Sequence, residues 1–255
     1  MLLELDGVTK HFGGIAAVND VGFEVRKGTV AALIGPNGAG KTTLFNLITG
    51  TLEIDYGSIT LNGKNLSGLK PFQLAAEGVT RTFQNLQIFN SMTVLENVMV
   101  GAYLRSKKGF FRSLISYPAR CQEEKKIREE SLMLLDEIGL AEAAGFPASS
   151  LPFGQKRLVE IARALAADPC LILLDEPAAG LNSAESEVLT GYLKKLRDRG
   201  TTMVLIEHDM ETVMRAADKV IVLNFGQVIA EGTPAEIQAH PEVIKAYLGE
   251  DEKIA

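Results

Sequence analysis

Residues 35–42, which read G-P-N-G-A-G-K-T, constrain the fold of this chain more than any other segment. They fit the phosphate-binding pattern G-x-x-x-x-G-K-[ST]. The apolar run at 30–34 precedes them and predicts a buried strand, while 43–48 follow and predict a helix that ends at Gly50. Because glycine leaves room for the backbone to wrap phosphate oxygens, this order of strand, loop and helix predicts a nucleotide-binding α/β core.

The phosphate-binding loop suggests a role for each of its polar groups. Its N–H groups and the helix N-terminus offer positive potential to an anion. Lys41 is expected to reach the β- and γ-phosphates of ATP, and the Thr42 hydroxyl is expected to bind Mg²⁺. The predicted nucleotide contacts of this loop are Gly35, Pro36, Asn37, Gly38, Ala39, Gly40, Lys41, Thr42 and Thr43. The spacing differs from G-x-G-x-x-G, so a dinucleotide-binding fold is not predicted.

Length and composition limit which classes of protein the chain can belong to. The chain has 255 residues, of which 46% are hydrophobic, so we expect one large domain or one domain with an inserted lobe. It contains no apolar run long enough to cross a bilayer and no signal-peptide pattern at its start. Its two cysteines, Cys121 and Cys170, lack metal-ligand spacing and suggest a reducing compartment. The net charge of −6 argues against nucleic acid as the main partner. We therefore expect a cytoplasmic chain.

Hydrophobic patterning predicts the architecture around this loop. Alternating residues at the start of the chain suggest half-buried strands, and later apolar runs suggest fully buried ones. The stretch from about 71 to 167 is mostly helical in pattern. The predicted fold class is a P-loop NTPase α/β core with a mostly parallel sheet, an N-terminal antiparallel β subdomain and an inserted helical subdomain. Residues 1–84 and 168–255 form the predicted core, and 85–167 form the helical subdomain, within a single domain 1–255.

Three further segments carry side chains suited to ATP hydrolysis. The apolar run at 171–174 ends in Asp175 and Glu176, which suits Asp175 as an indirect Mg²⁺ ligand and Glu176 as the group that polarises the attacking water. His208 follows another apolar run and is expected to hydrogen-bond the γ-phosphate and orient the water, against the alternative of a structural histidine. Gln84 lies where the core gives way to the helical lobe, and its amide is expected to sense Mg²⁺ or water.

A second anion-binding helix start lies far along the chain. Residues 151–155 read L-P-F-G-Q and open an amphipathic helix, with Leu151, Gly154 and Gln155 as the predicted nucleotide contacts. A single protomer does not need two anion-binding helix starts for one γ-phosphate. A head-to-tail dimer explains both, because each ATP then lies between the phosphate loop of one subunit and the helix start of the other.

In their order, the phosphate loop, Gln84, L-P-F-G-Q, L-L-D-E and His208 resemble the ATP-binding subunits of ABC transporters. More narrowly, the segments R-T-F-Q-N at 81–85, E-P-A-A-G-L-N at 176–182 and I-E-H-D-M at 206–210 resemble LivG-type subunits of high-affinity branched-chain amino acid importers. The same likeness extends to M-T-V-L-E-N-V at 92–98 and to A-Y-L-G near the end of the sequence.

This resemblance implies partners and one further contact. It implies ATP and Mg²⁺ as ligands, and a homodimer or heterodimer with a second ABC ATPase beneath two transmembrane permease subunits. A periplasmic binding protein would deliver the substrate. It places the chain on the cytoplasmic face of the inner membrane, held there by the permeases. It also implies that Phe12 stacks on adenine, against the alternative of an ordinary core aromatic.

The chain departs from the general ABC pattern in two places. Pro152 and Phe153 replace the second and third residues of the usual L-S-G-G-Q signature, so the serine contact to the γ-phosphate is missing. The Gly154 backbone and the helix dipole are expected to carry more of that contact. Asn182 stands where aspartate is common. It keeps the capacity to hydrogen-bond across a dimer interface without bringing a charge.

Several alternatives stay open on the sequence. The cargo could instead be urea, short amides, other amino acids or an exported lipid, because permease and binding protein select it. An ATPase acting on DNA or ribosomes is disfavoured by the single phosphate loop and the lack of sustained heptads. The basic and aromatic segment at 103–120 suggests either contact with anionic lipid or a solvated loop. The mixed apolar and polar stretch from Gln84 to Gly101 predicts a docking site for a permease helix.

Overall fold

The computed structural model describes residues 1–103 and 117–251, and these ranges contain two sheets and a set of surrounding helices. The strands are β1 Leu3–Phe12, β2 Ile15–Val25, β3 Val30–Ile34, β4 Tyr56–Leu61, β5 Lys64–Asn65, β6 Val79–Arg81, β7 Leu171–Asp175, β8 Thr202–Ile206, β9 Lys219–Asn224 and β10 Gln227–Gly232. The helices are α1 Lys41–Ile48, α2 Pro71–Ala76, α3 Val94–Tyr103, α4 Tyr117–Glu137, α5 Phe153–Ala166, α6 Ser183–Asp198, α7 Met210–Ala216, α8 Pro234–Gln238 and α9 Pro241–Asp251. The basic and aromatic residues Arg105, Lys107, Lys108, Phe110, Phe111 and Arg112 lie outside the described residues.

The N-terminal sheet is antiparallel, as its alternating sequence predicts. Its strand order is β2-β1-β4-β5. One face of this sheet packs on the core through residues such as Leu3, Val8 and Ile59, all at most 2% exposed. The alternation of buried and exposed side chains is what a sheet with one solvated face requires.

The central sheet is mostly parallel and confirms the predicted fold class. Its order is β10-β9-β3-β8-β7-β6, and only the β9–β10 pair is antiparallel among the pairs described. Strands β3, β7 and β8 are buried at every position, which explains their continuous apolar sequences. Because β3, β8, β7 and β6 are adjacent and parallel, their carboxyl ends meet along one edge of the sheet.

Strand β6 is a feature that the sequence pattern did not reveal. The stretch from about 71 to 167 was predicted to be mostly helical, yet Val79–Arg81 pair with β7 in parallel. Three residues are too few to show a strand period, so only the pairing partner identifies them. The strand matters because it brings Gln84 close to the end of β7.

Helices α3, α4 and α5 share a hydrophobic cluster of their own, with Val98, Leu135 and Val159 fully buried in it. Helices α3 and α5 pack closely: a Cβ added at Gly101 would lie 1.9 Å from the Arg163 carbonyl oxygen. This cluster is separate from the two clusters that cover the faces of the central sheet. None of the helices described is long and apolar enough to span a bilayer.

Candidate functional site

The phosphate-binding loop connects β3 to α1 in a conformation that depends on glycine. Gly35 has φ of 146° and Gly40 has φ of 103°. A Cβ on Gly35 would lie 2.0 Å from the Leu223 carbonyl oxygen, and a Cβ on Gly40 would lie 2.4 Å from the Ala17 carbonyl oxygen. The loop is therefore pressed against β9 and β2 and leaves its other side to a ligand.

Lys41 lies inside this loop. Its side chain is largely buried, at 6% exposure, and Nζ donates to the carbonyl oxygens of Gly35 at 2.5 Å and Pro36 at 2.9 Å. The two main-chain carbonyl oxygens thus supply hydrogen-bond partners to a largely buried ammonium group. This placement fits the predicted contact with the β- and γ-phosphates.

Glu176, His208 and Gln84 come together at the carboxyl ends of β7, β8 and β6. His208 Nε2 lies 2.6 Å from Glu176 Oε1, and Gln84 Nε2 donates to Glu176 Oε2 at 2.8 Å. The Glu176 side chain is 13% exposed and that of His208 is 48% exposed. One carboxylate thus receives a contact on each of its oxygens, from residues 92 and 32 positions apart in sequence. The three residues expected to act on the γ-phosphate or its attacking water therefore form one cluster.

Glu176 adopts a backbone conformation that is uncommon for a side chain of its kind. Its φ is 47°, in the left-handed region, and its N–H donates to the Ile206 carbonyl oxygen at 3.0 Å. Such conformations cost free energy and persist where the surrounding structure imposes them. Here the strained turn directs the carboxylate to the shared edge of the sheet.

Glu207 supports this turn and was not singled out by the sequence. It is 2% exposed, and its Oε1 accepts the Ala178 N–H at 2.8 Å. Burial raises the pKa of the Glu207 carboxyl, and the hydrogen bond from Ala178 opposes that rise. Glu207 thereby ties the end of β8 to the loop that follows Glu176.

Asp175 is paired with an arginine that the sequence analysis did not assign. Arg81 Nη2 donates to Asp175 Oδ2 at 2.6 Å, and Arg81 Nη1 donates to Asn46 Oδ1 at 2.6 Å. The guanidinium also lies 5.7 Å from the ring centre of Phe45 and 5.3 Å from that of Phe83. Arg81 is thus fixed between α1 and β7. The sequence places Arg81 at the start of the R-T-F-Q-N segment but gives no sign of its pairing with Asp175, which lies 94 positions away.

The residues predicted to hold Mg²⁺ offer ligands of the right type. Thr42 is exposed in the first turn of α1, Asp175 ends β7 and Gln84 follows β6. Hydroxyl, carboxylate and amide oxygens are the hard ligands that Mg²⁺ prefers, usually alongside water and substrate phosphates. No group of three or more His, Cys, Asp or Glu side chains suited to a metal occurs within 1–103 and 117–251. A hydroxyl, a carboxylate and an amide oxygen fit the protein's share of the ligands of such an ion, with nucleotide and water supplying the others.

Phe12 ends β1 at the surface and is 49% exposed. The Lys10 ammonium lies 6.0 Å from the centre of its ring. An exposed ring next to the hairpin tip is available for stacking, whereas the alternative of a core aromatic would require burial. Adenine stacking stays a prediction for this residue.

The L-P-F-G-Q segment forms the start of α5. Gly154 is buried, and a Cβ on it would lie 2.6 Å from Glu185 Oε1. Phe153 is 44% exposed, and a Cβ added at Gly180 would lie 3.2 Å from its ring; Gln155 is partly exposed. Leu151 is 8% exposed and belongs to the α3–α5 cluster, which places its side chain in the core. The exposed part of this helix start consists of Pro152, Phe153 and Gln155.

Asn182 caps α6 next to this helix start. Its Oδ1 accepts the Glu185 N–H at 2.9 Å, and its own N–H donates to Glu185 Oε2 at 3.0 Å. This reciprocal capping is one that aspartate would also make. Asn182 therefore preserves the start of α6 without a charge.

An apolar cavity of about 630 Å³ lies between α2, β6, α3 and α5. Its lining includes Ile88, Phe89 and Val100, which lie within the segment 84–101 predicted to dock a permease, and Arg81 and Phe83, which precede that segment. Val94 and Leu95 of the same segment are buried in the α3–α5 cluster instead. The apolar series therefore divides into a core half and a half that faces the cavity.

Comparison with family models places the chain among nucleotide-binding transport proteins. Residues 18–179 match the model described as "ABC transporter". Residues 227–253 match the model described as "Branched-chain amino acid ATP-binding cassette transporter". The first match spans the phosphate loop, Gln84, L-P-F-G-Q and Glu176, and the second covers the segment from β10 onward.

Curated relatives and solved structures agree with these models. The chain is 45% identical to the high-affinity branched-chain amino acid transport ATP-binding protein LivG of Salmonella typhimurium and 44% identical to BraF of Pseudomonas aeruginosa, with 98% of both chains covered each time. The ADP conformation of the ATP-binding cassette MJ1267 superposes with a TM-score of 0.85 at 33% identity, covering 97% of this chain and 98% of that one. The dimeric post-hydrolysis cassette MJ0796, bound to ADP and phosphate, gives a TM-score of 0.76 at 27% identity, covering 91% and 99%.

Proposed function

Because the chain belongs to the ABC transporter family of ATP-binding subunits, we propose that it hydrolyses ATP to power the uptake of branched-chain amino acids. The observation that carries the ATPase part is the cluster at Glu176, whose two carboxylate oxygens contact His208 and Gln84. The cargo is supported by the relatives named LivG and BraF and by the match of residues 227–253.

The proposed chemistry distributes work among residues at the shared edge of the sheet. The phosphate loop and Lys41 bind the β- and γ-phosphates, and Phe12 stacks on the adenine. Glu176 polarises the attacking water, while His208 contacts the γ-phosphate and Gln84 orients the water. Mg²⁺, held through Thr42, Asp175 and Gln84, would neutralise phosphate charge. Each role suits the position of its residue described above. The γ-phosphate alone is proposed to need a further contact, from a group outside these segments.

We propose that the further contact to the γ-phosphate comes from the start of α5 in a second ATPase subunit. Gly154 lies in the first turn of the 14-residue helix α5, whose dipole suits an anion, and α5 starts beside the cap of α6. In a head-to-tail dimer, this helix start of one subunit faces the γ-phosphate bound by the other. The relative MJ0796 is dimeric in its ADP- and phosphate-bound form. The same reasoning admits a homodimer or a heterodimer with a similar ATPase.

Dilution tests the shared site. If each site needs two subunits, the specific ATPase activity of the purified chain rises with protein concentration as dimers form. Light scattering at each concentration supplies the dimer fraction. A specific activity that is independent of dilution, in a species shown to remain monomeric, would exclude the shared site.

We propose that the apolar cavity receives a helix from a membrane permease, which places the chain on the cytoplasmic face of the inner membrane. The cavity is bordered by segments from both sides of Gln84, so a partner there touches the region next to the catalytic cluster. Two permease subunits would bind one ATPase dimer, and a periplasmic protein would deliver the substrate to them.

Transport by the whole complex tests the cargo. The chain is purified with its permeases, reconstituted in liposomes and supplied with the periplasmic binding protein and ATP. We expect uptake of radiolabelled leucine, isoleucine and valine, and no uptake with Glu176→Gln in the complex. Uptake of urea or short amides instead, with ATPase activity intact, would retain the motor and replace the cargo.

A further inference from the structure

A buried ion pair on α5 contacts the main chain of the segment that carries Gln84. Arg157 and Glu160 are each 1% exposed, and Arg157 Nη1 donates to Glu160 Oε2 at 2.9 Å. The same guanidinium donates to the carbonyl oxygens of Phe83 at 2.9 Å and Gln84 at 3.0 Å. Glu160 Oε1 accepts the Gln87 N–H at 3.2 Å. One pair of side chains therefore binds three main-chain groups of the segment 83–87.

Burial makes these contacts hard to exchange for water. A charged pair removed from solvent is stabilised when its other hydrogen-bonding groups find partners. The backbone of the segment 83–87 supplies three of them, whereas the buried Arg157 Nε has none. Burial also raises the pKa of the Glu160 carboxyl, while the charge of Arg157 opposes that rise. Displacement of the segment 83–87 from α5 would leave the charges of Arg157 and Glu160 without those partners. The segment and α5 are therefore expected to move together.

Gln84 is consequently held at both ends. Its carbonyl oxygen is bound by Arg157, and its side-chain amide donates to Glu176 Oε2 at 2.8 Å. The contacts thus lead from α5 through one residue to the carboxylate expected to activate water. The helix that makes the first contact is also the one whose start at 153–155 is expected to face the nucleotide of a partner subunit.

We infer that Arg157 is a positioning residue for ATP hydrolysis, with Glu160 as its counter-ion, and that the pair makes the position of α5 set the position of Gln84 at Glu176. This inference rests on the proposed ATPase function. A nucleotide bound at the start of α5 in one site would then regulate the water-activating cluster of the other site in the dimer.

The test replaces the ion pair by neutral side chains, and the neighbouring Arg163, 3.8 Å from Glu160 Oε1, is left with 17% of its side chain exposed to solvent. In Arg157→Met/Glu160→Gln, the glutamine retains an oxygen that can accept the Gln87 N–H, and methionine approximates the volume of the arginine stem. Arg199→Met/Glu137→Gln serves as the matched control. It removes another arginine–glutamate pair, 2.6 Å apart, which joins α4 to the end of α6 and does not touch residues 83–87.

Two measurements are made on the full-length protein. Hydrogen exchange, followed by mass spectrometry, should be faster in peptides that cover 83–90 of the Arg157→Met/Glu160→Gln variant and unchanged in peptides of the phosphate loop and β7. Steady-state ATPase assays should show kcat reduced on the order of tenfold to a hundredfold, because a misplaced Gln84 no longer orients the cluster. The KM for ATP should stay within about twofold, since the phosphate loop, which supplies most of the proposed nucleotide contacts, is unchanged. The control should match wild type in both measurements.

Arg157→Lys gives an independent test that retains the charge. Lysine cannot bind both carbonyl oxygens with a planar fork, so we expect kcat between those of wild type and the double variant, again with unchanged KM. If the double variant does not fold, this variant and its exchange at 83–90 decide the matter.

Unchanged exchange at 83–90, or unchanged kcat in folded variants, would overturn the inference. A raised KM with unchanged kcat would also overturn it, because Arg157 would then act on nucleotide binding. Absence of ATPase activity in the wild-type protein would instead defeat the proposed function, and the exchange measurement would still test whether the pair restrains the segment.

Discussion

Arg81 and Asp175 form an ion pair of 2.6 Å between the ends of the adjacent parallel strands β6 and β7. Both side chains are largely buried, at 11% and 6% exposure. Arg81 also lines the apolar cavity, while Asp175 is the carboxylate expected to act on Mg²⁺. One side chain therefore spans the distance between the predicted metal site and the proposed permease site.

Substitution of Arg81 by methionine should destabilise the protein, since it leaves the Asp175 carboxylate buried without its cation. We expect the free energy of unfolding in urea to fall by about 3 kcal/mol without nucleotide. The loss should be smaller in Mg²⁺ and ATP, because a bound cation would compensate the carboxylate. Arg215→Met removes an exposed arginine–carboxylate pair on α7 and should cost at most about 0.5 kcal/mol. Equal losses in the two variants would contradict a special role for the buried pair.

Substitution of Lys41 by alanine should weaken ATP binding. The loop would lose the ammonium that its own carbonyl oxygens hold at the predicted phosphate site. A charge-assisted contact of this kind accounts for about a tenfold to hundredfold change in Kd. Isothermal titration calorimetry measures it, with circular dichroism as the check on folding. Unchanged ATP affinity would remove Lys41 from the nucleotide site.

Substitution of Glu176 by glutamine should leave ATP bound and hydrolysis nearly abolished. The amide retains the shape of the side chain, but it loses the charge that polarises water, which is expected to cost about 10²- to 10⁴-fold in kcat. The ATP-bound variant should accumulate as a dimer on a sizing column. Turnover close to that of wild type would show that another group activates the water.

The stability of the Glu207→Gln variant should depend on pH differently from that of wild type. The pKa of Glu207 is raised in the folded state by burial, so the folded state binds more protons than the unfolded state above the ordinary value of 4.5. In wild type, the contribution of Glu207 to the free energy of unfolding therefore falls as pH rises from 4.5 through the raised pKa. The variant lacks the carboxyl group and does not lose this contribution. Urea unfolding at pH 4.5 and 7 should show the variant gaining on wild type at the higher pH.

Glu96 provides the control of opposite sign. Hydrogen bonds from the Thr93 N–H and hydroxyl lower its pKa below 4.5. Its contribution is therefore present above pH 4.5 and is lost as pH falls through the lowered pKa, so Glu96→Gln should lose stability relative to wild type as pH rises toward 4.5. The same trend in both variants would show that burial of Glu207 does not set its titration.

Substitution of Phe89 by alanine should weaken assembly with the permease and spare ATP binding. The ring is 46% exposed at the cavity, with the Arg163 guanidinium 5.4 Å from its centre. Loss of an aromatic anchor typically weakens an interface by about tenfold or more. Pull-down of the permease, compared with the ATP affinity of the free variant, measures both effects. Phe146→Ala removes an exposed ring that does not line the cavity and should leave assembly intact.

The sequence alone was sufficient to predict the features that depend on residues close together in the chain. Strands β3, β7 and β8 are buried and mostly apolar, and the phosphate loop begins directly after β3. Asp175 ends β7, Glu176 follows it, and His208 lies two residues after the end of β8. Because strand and motif are neighbours in the chain, the parallel core and the principal polar residues were predictable, and the comparisons confirm the family and fold.

Only the tertiary structure decided which of these residues meet and which others support them. Strand β6 is too short to show a period, and its place beside β7 brings Gln84 to Glu176. Arg81 and Arg157 reach partners up to 94 and 74 positions away. Such contacts depend on the order of the strands and on helix packing, and the local sequence around each arginine specifies neither. A lone arginine therefore looks like any other surface cation until the fold buries it against its partners.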